Sequence, residues 1–182
     1  MYIEAFVNIT SKAWALSILA NLHAGVAGRQ ATLLAATGAS RTAFAQSMAH
    51  LVDNGLLERN PGHGHPLRPE FRLTRLGTEA AAIAYQVQRA SSEADQRLLR
   101  KSWTLPVLTT LQTPRRFNDI KRSLSVITDR ALSQSLKLME EKDWVQRSVD
   151  ETARPPRSIY RAVNTGGVIS RITGAQIDFI RH

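Results

Sequence analysis

The chain has 182 residues, of which 43% are hydrophobic, and this length suits one ordinary domain or two small ones with real cores. Its formal net charge is +9, from 24 Lys and Arg against 15 Asp and Glu spread along the sequence, which favours a polyanionic partner. There is no cysteine, so disulfides, thiol redox sensing, cysteine nucleophiles and thiolate zinc sites are excluded.

The first element in chain order is KAWALSILANL, residues 12–22, whose apolar residues recur at the spacing of an amphipathic helix. A hydrophobic run near the start of a chain also invites comparison with a signal segment. The hydrophobic part of this segment, AWALSILANL, ends without a small-residue cleavage pattern, and Glu4 and Lys12 are the only charges before it. We therefore expect a helix of a cytoplasmic protein.

A capped helix and two short strands follow, beginning with SRTAFAQSMAHLVDNGLLERN, residues 40–60. Ser40 is the predicted N-cap, because its hydroxyl can accept a hydrogen bond from a backbone amide of the first turn. Phe44, Met48 and Leu51 fall on one face and are predicted to be buried. The segments LLERN and EFRLT are predicted as strands on either side of the loop PGHGHPLRP.

The segment that joins the two halves of the chain reads TEAAAIAYQVQRASSEADQRLLRK. It is rich in residues that favour helices and contains neither Gly nor Pro. A helical connection is therefore predicted in preference to a flexible tether, and it would fix the spacing between the two halves.

The second half opens with a helix around residues 98–112, with Leu108 on its core side. Pro106 fits only near a first turn or at a kink, so this helix is expected to start late. A second helix follows from about Asn118, with Ile120 directed inward.

The third helix of this half is predicted in TDRALSQSLKLMEEKDWV, residues 128–145. Thr128 is its predicted N-cap, and Leu132, Leu136 and Met139 form its buried stripe. The opposite face carries uncharged polar and basic side chains, namely Arg130, Ser133, Gln134 and Lys137. Taken alone, this face also fits an ordinary solvated surface.

Two alternating segments, WVQRSVD and RSIYRAV, are then predicted as strands separated by ETARPPR. The two prolines of that loop disfavour a tight hairpin turn. Three helices followed by a two-stranded β-wing make a winged helix-turn-helix, and the first half has the same order of elements.

The two halves are also related as an internal repeat. Trp14 corresponds to Trp103 at a spacing that overlays KAWALSILANL on KSWTLPVLTTL, and the same spacing relates Gly77 to Gly166. Matches so dispersed indicate two copies of one small domain, which we call the first copy and the second copy.

The second copy resembles the HxlR branch of the MarR-like bacterial winged-helix regulators. The residues that carry this resemblance are the KSWTLPVL opening, Arg116 and Phe117, Ile127 and Thr128 ahead of LSQSL, and Pro155, Pro156 and Tyr160 in the wing. The strong match covers about a third of the chain, and the first copy matches in outline. The family usually forms homodimers of single units and often has a cysteine near its start. This chain has two units and no cysteine, so the resemblance does not imply redox sensing here.

The resemblance implies a mainly α fold with small β-wings (α+β), in which two tandem winged helix-turn-helix domains are joined by a helical connector. The expected segments are a first domain at residues 1–77, a connector at 78–97, a second domain at 98–166 and a C-terminal helix at 167–182. The fused arrangement suggests an intramolecular pseudo-dimer, with further self-association left open. The C-terminal helix is expected to pack either on the connector or on its own domain.

The resemblance further implies that the third helices read bases in double-stranded DNA. The expected reading residues are Arg130, Ser133, Gln134 and Lys137 in the second copy and Arg41, Thr42 and Gln46 in the first. The expected phosphate and wing residues are Arg115, Arg116, Lys121, Arg122, Thr128, Arg154 and Arg157, with His63, His65 and Arg68 in the first copy. The second half carries twice as many Lys and Arg as the first and should dominate affinity.

Other functions find less support in the residues. The HGH pair in the first wing is more typical of polar loop residues than of a metal site, and no catalytic motif is present, so neither an enzyme nor a cofactor is expected. The main alternative is a tandem winged-helix module for protein interaction or chromosome architecture. Ala45 and Ala49 on the third helix of the first copy leave a protein partner open there. We expect no membrane association and a cytoplasmic, nucleoid-associated location.

Overall fold

A computed structural model describes residues 3–60 and 69–175. The chain forms two compact units, a first unit at Lys12–Ser92 and a second unit made of Met1–Ser11 together with Glu93–His182. The chain therefore starts in the second unit, passes through the whole of the first, and returns. The described helices and strands are α1 Ile3–Thr10, α2 Ala15–His23, α3 Gln30–Thr37, α4 Arg41–Asp53, β1 Leu57–Asn60, β2 Glu70–Leu73, α5 Arg75–Arg89, α6 Gln96–Leu99, α7 Thr104–Thr110, β3 Arg115–Arg116, α8 Phe117–Ser123, α9 Asp129–Glu140, β4 Val145–Asp150, β5 Arg157–Ala162 and α10 Asn164–Gly174.

The first unit is built on the packing of α2 against α5. Ile18 and Leu19 of α2 are fully buried, and so are Ala81 and Ala84 of α5, whose small side chains let the two helices approach closely. β1 and β2 pair antiparallel from Leu57 opposite Leu73, which gives the predicted hairpin.

The second unit repeats this plan around α7, which packs against α9 and α10. The helix begins at Thr104, so Pro106 lies in its first turn, as predicted from the cost of proline inside a helix. β3, β5 and β4 form a three-stranded antiparallel sheet in that order, in which β4 and β5 are the predicted wing strands.

Two equivalent glycines of the repeat serve the same purpose. A Cβ atom at Gly77 would collide with the backbone carbonyl of Leu56, and one at Gly166 would collide with that of Trp144. Each glycine allows the helix after the wing to lie directly on the chain that enters the wing. This shared close approach explains why the repeat matches glycine with glycine.

The segment predicted as a connector divides between the two units. α5 runs from Arg75 to Arg89, spans the predicted boundary between residues 77 and 78, and belongs to the first unit because it packs on α2. A 3₁₀ turn at Glu93–Asp95 and α6 follow in the second unit. Of the two packings expected for the C-terminal helix, α10 makes the one with its own domain, against α7 and β5.

The helix α1 was not predicted from the sequence. It precedes the first copy, yet it packs on α7 of the second unit and buries Phe6 and Ile9 to 2% and 3% exposure. The hydroxyl of Thr10 lies 2.6 Å from the carbonyl oxygen of Ser102 and can donate a hydrogen bond to it. The core of the second unit therefore includes a helix that precedes the first unit in the sequence.

Within residues 3–60 and 69–175, no helix combines the length and apolarity that a bilayer span requires.

Replacing Phe6 with Ala should destabilise the second unit by about 3–5 kcal/mol, because it leaves a cavity between α1 and α7. Amide hydrogen exchange should show the loss of protection in α7, whereas α2 and α5 should stay protected. Glu4→Gln changes an exposed side chain of the same helix and should have no such effect. Equal loss of protection in α2 and α7 would contradict the assignment of α1 to the second unit.

Candidate nucleic-acid interface

The helix α9 divides its residues between a buried and an exposed face. Leu132 and Met139 are fully buried and Leu136 nearly so, and the helix packs on α7 and β4. The predicted burial of this stripe is confirmed. The side chains on the opposite face are all exposed, namely Arg130, Ser133, Gln134 and Lys137.

The start of α9 is fixed by the predicted N-cap. The Thr128 hydroxyl accepts a hydrogen bond from the Ala131 amide at 3.2 Å, with the extended backbone typical of this position. Ser40 does the same for α4, accepting from Ala43 at 3.3 Å. Both cap predictions are confirmed, and the caps set which residues of each helix face outward.

The base-reading candidates at the N-terminal end of α9 are unengaged. In the part of the chain that the structure describes, Arg130, Ser133 and Gln134 have no ion pair or side-chain hydrogen bond. Lys137 lies one turn further on and approaches Glu141 at 3.9 Å. Polar groups held in solvent with no internal partner are free to bind an external one.

Three of the predicted phosphate-binding cations lie in ion pairs with nearby carboxylates. Lys121 Nζ is 2.6 Å from Asp129 Oδ1, across the turn between α8 and α9. The other two pairs are Arg122 with Asp119 at 3.5 Å and Arg116 with Asp150 at 3.7 Å. All three cations are at least two-fifths exposed, and exposed pairs of this kind contribute little net stability and are screened by salt. A phosphate can therefore compete for them.

Arg115 differs from the other cations of this group. It is half-buried in β3, opposite Tyr160, and its guanidinium donates to the Ser123 hydroxyl at 3.0 Å. This contact ties β3 to α8 inside the unit. Arg115 therefore has a structural role in holding α8, whatever else it binds.

The wing presents two cations without an acidic partner among the described residues, Arg154 and Arg157, and both are exposed. The nearby Asp150 accepts from the Thr152 hydroxyl at 2.6 Å. This hydrogen bond, the backbone amides of Thr152 and Ala153 and the charge of Arg116 together outweigh desolvation and lower the pKa of Asp150. The carboxylate thus stays ionised at neutral pH and pairs with Arg116 at the end of β4 next to the wing loop.

In the first unit, α4 also has one buried and one exposed face, but its exposed face carries fewer polar and charged side chains. Phe44 and Leu51 are fully buried and Met48 nearly so, as predicted, while the outer residues Arg41, Thr42, Ala45, Gln46 and Ala49 are exposed. The wing candidates His63, His65 and Arg68 lie outside the described residues. Among the described residues, no group of three His, Asp or Glu side chains could hold a metal ion.

Two further cations of the wing were not singled out from the sequence. Arg147 of β4 donates from Nε to the Ser158 hydroxyl at 3.0 Å, and Arg161 of β5 donates to Gln146 at 2.8 Å. Both are exposed, so the wing carries more positive charge than was predicted. Arg161 directly follows the buried Tyr160 in β5, which marks it as outward-facing, whereas only Val145 of β4 is buried and no alternation marks Arg147.

A model of HxlR-like helix-turn-helix proteins matches the chain twice, over residues 9–96 and 98–181. The chain belongs to the HxlR-like helix-turn-helix family. The two matches fall on the two copies of the repeat, and membership makes this chain a DNA-binding transcription regulator of the helix-turn-helix class. The suspected tandem duplication is confirmed.

Two solved structures are similar to about half of this HxlR-like chain. The reduced form of the transcriptional regulator YodB from B. subtilis is 27% identical over 44% of this chain and 78% of its own, with a TM-score of 0.40. A protein described as a MarR-family transcriptional regulator, from Porphyromonas gingivalis W83, is 22% identical over 45% of this chain and 85% of its own, also with a TM-score of 0.40. No curated protein sequence matches this chain.

Replacing Thr128 with Ala should destabilise α9 by about 1 kcal/mol, because the Ala131 amide loses its acceptor. Thr128→Ser keeps the hydroxyl and is the matched control. Amide hydrogen exchange in the first turn of α9 measures the difference. An equal loss of amide protection in the Ala and Ser variants would show that the hydroxyl does not act as the cap.

Proposed function

We propose that this HxlR-like chain is a sequence-specific transcriptional regulator that binds double-stranded DNA as an intramolecular pseudo-dimer. In this proposal the outer face of α9 enters the major groove and the wing of the second unit follows the minor groove. The observation that carries it is the exposed and unengaged polar face of α9, held in place by a buried stripe and an N-cap.

The residue types on that face suit the edges of bases. A guanidinium pairs with the two acceptors of guanine, and a carboxamide pairs with the donor and acceptor of adenine. Arg130 and Gln134 are one helical turn apart, so both can address neighbouring base pairs from the same face. Ser133 and Lys137 would extend the contact to further acceptors or to phosphate.

The cations beside α9 suit a second task, which is to hold the DNA backbone. Lys121, Arg122 and Arg116 lie in or directly before α8, and all three side chains are exposed enough for a phosphate to reach them. Arg154 and Arg157 extend the positive surface along the wing, where a narrow minor groove favours arginine.

The pseudo-dimer is supported by the complete duplication of the family match within one chain. It is also supported by the path of the chain, because α1 precedes the first copy but packs in the second unit. The two readers differ, since α4 has Ala45 and Ala49 where α9 has Ser133 and Lys137. We infer unequal half-sites, the stronger one under α9.

A protein partner is the second candidate function, and it applies to the first unit. The exposed Ala45 and Ala49 give the outer face of α4 an uncharged centre, and depletion of charge at the centre is a feature of protein interfaces. The outer face of α9 carries two cations and lacks this feature.

Replacement of single side chains separates base reading from backbone holding. Arg130→Ala or Gln134→Ala should cost roughly 1–3 kcal/mol on the preferred duplex and little on random DNA. Lys121→Ala should weaken binding to both and lower the slope of log affinity against log salt by about 1. Binding to fluorescent duplexes across a salt series measures both effects.

The matched control for these variants is Lys142→Ala, which removes a cation beyond the C-terminal end of α9. It should leave both affinities unchanged. Equal losses for Arg130→Ala and Lys121→Ala on specific and random DNA would contradict the assignment of base contacts, and an affinity independent of salt would contradict DNA binding itself.

The pseudo-dimer predicts the shape of the operator. One chain should protect two half-sites about 34–36 Å apart, and these should differ in sequence, because two different helices read them. Footprinting on a randomised library, with the stoichiometry measured by light scattering, provides the test. A strict palindrome bound by two chains would overturn this part of the proposal.

A further inference from the structure

The second unit contains a groove at the C-terminal end of α9, with a volume of about 600 Å³. One wall belongs to a continuous segment, residues 93–101, which includes the 3₁₀ turn and α6. The opposite wall is formed by Leu138, Glu141 and Lys142. At about 1.5–2.0 Å per residue, the first wall is roughly 13 Å long. The groove is therefore long enough to receive about two turns of a helix.

The apolar part of the groove has side chains from both walls. Ala94 and Leu98 come from the first wall, and Leu138 comes from the second. Leu98 is only 7% exposed, Leu138 is half-buried and Ala94 is exposed. An apolar side chain placed against these three would be removed from water, which is the main source of affinity when a helix docks in a groove.

The charged side chains around the groove are mostly basic. They are the cations Arg97, Arg100, Lys101 and Lys142 and the carboxylates Glu93 and Glu141. Lys142 approaches Asp95 at 3.9 Å, and Glu141 approaches Lys137 at the same distance. Arg97 and Lys101 are exposed and have no acidic partner within residues 3–60 and 69–175. These two cations are four residues apart and are left to neutralise acidic groups from outside the chain.

We propose that this groove binds an amphipathic helix of a partner protein, in which two acidic side chains one turn apart lie beside a leucine stripe. The acidic side chains would face Arg97 and Lys101, and the leucines would cover the apolar part of the groove. Exposed ion pairs add little net affinity, but complementary charge orients the partner and speeds its association.

Two other occupants fit the groove less well. A free small carboxylate would meet one cation and leave most of the wall between residues 93 and 101 without a contact. A second copy of this chain also has a net charge of +9 and would be repelled by the basic side chains of the groove. The charge and the length of the groove therefore both favour an acidic helical segment of another protein.

The position of the groove allows the partner and DNA to bind together, and this part of the inference rests on the proposed function. Along the axis of α9, Arg130 and Glu141 are about 16 Å apart, at 1.5 Å per residue. None of the side chains that line the groove is among the proposed DNA contacts. A chain on its operator can therefore still hold a second protein through this groove.

The first experiment titrates the full chain into a fluorescein-labelled peptide of about twelve residues, held helical by a hydrocarbon staple. The peptide has two Glu residues four positions apart beside a Leu stripe, in a background of Gln and Ala. Fluorescence anisotropy should show saturable binding. A peptide with Gln in place of both Glu should bind about tenfold more weakly, and one with Ser in place of Leu about a hundredfold more weakly.

Three results of this titration would overturn the proposal. The first is equal affinity for the Glu and Gln peptides, which would remove the role of charge. The second is displacement of the peptide by hexanoate at concentrations as low as those of unlabelled peptide, which would indicate a small carboxylate site. The third is self-association of the chain that excludes the peptide, measured by light scattering, which would make the groove an interface between copies.

The second experiment locates the binding on the chain. Arg97→Gln combined with Lys101→Gln should weaken binding of the Glu peptide about tenfold and leave the Gln peptide unchanged, which also shows that the groove is intact. Ala94→Gln places a longer side chain in the groove and should weaken both peptides. Arg75→Gln removes an exposed cation of the first unit and is the matched control. Equal affinity of the Glu peptide for all of these chains would refute the site.

The third experiment repeats both titrations with the preferred duplex present. The duplex should leave peptide affinity unchanged, and the double variant should bind DNA as tightly as the natural chain. Peptide binding by a chain without affinity for DNA would refute the proposed function and leave the groove as a docking site. Loss of DNA affinity in the double variant would make Arg97 and Lys101 phosphate contacts and overturn the docking proposal, and mutual exclusion of peptide and duplex would refute their joint binding.

Discussion

The burial of one stripe of α9 is the interaction on which the rest of the second unit depends. Leu132, Leu136 and Met139 pack on α7 and β4, and the Thr128 cap fixes where the helix starts. A helix turns by a fixed angle per residue, so these two restraints determine which side chains face outward. The polar face of α9 is therefore preorganised, and the proposed reader needs no rearrangement within the helix to meet a groove.

The elements with strong local signals could be predicted from the sequence. Hydroxyl caps, the early proline of α7, the helical spacing of apolar residues and the alternation in the wing strands act over a few residues. The repeat added the order of elements, since each copy supports the other. The family could be recognised from the second copy, because the sequence motifs that carry the resemblance are also local.

The features that could not be predicted depend on contacts distant in sequence or on very short elements. α1 is stabilised by α7, which lies roughly a hundred positions later, so its own eight residues do not reveal where it packs. β3 has two residues and no detectable period, yet its pairing with β5 adds a third strand to the sheet of the wing. The ion pair of Lys121 with Asp129 likewise follows from side-chain positions across a turn, whereas the pair of Arg122 with Asp119 has the i,i+3 helical spacing that sequence shows.

The absence of cysteine allows a direct test of the central claim that the outer face of α9 enters the major groove. Ser133→Cys places a single thiol on that face, and Val168→Cys places one on the exposed side of α10 as a control. Each variant would be incubated with its preferred duplex carrying a thiol-tethered base in the major groove. The account predicts disulfide cross-linking of Ser133→Cys at one base position and none for Val168→Cys. Cross-linking in equal yield for both variants, or for neither, would contradict it.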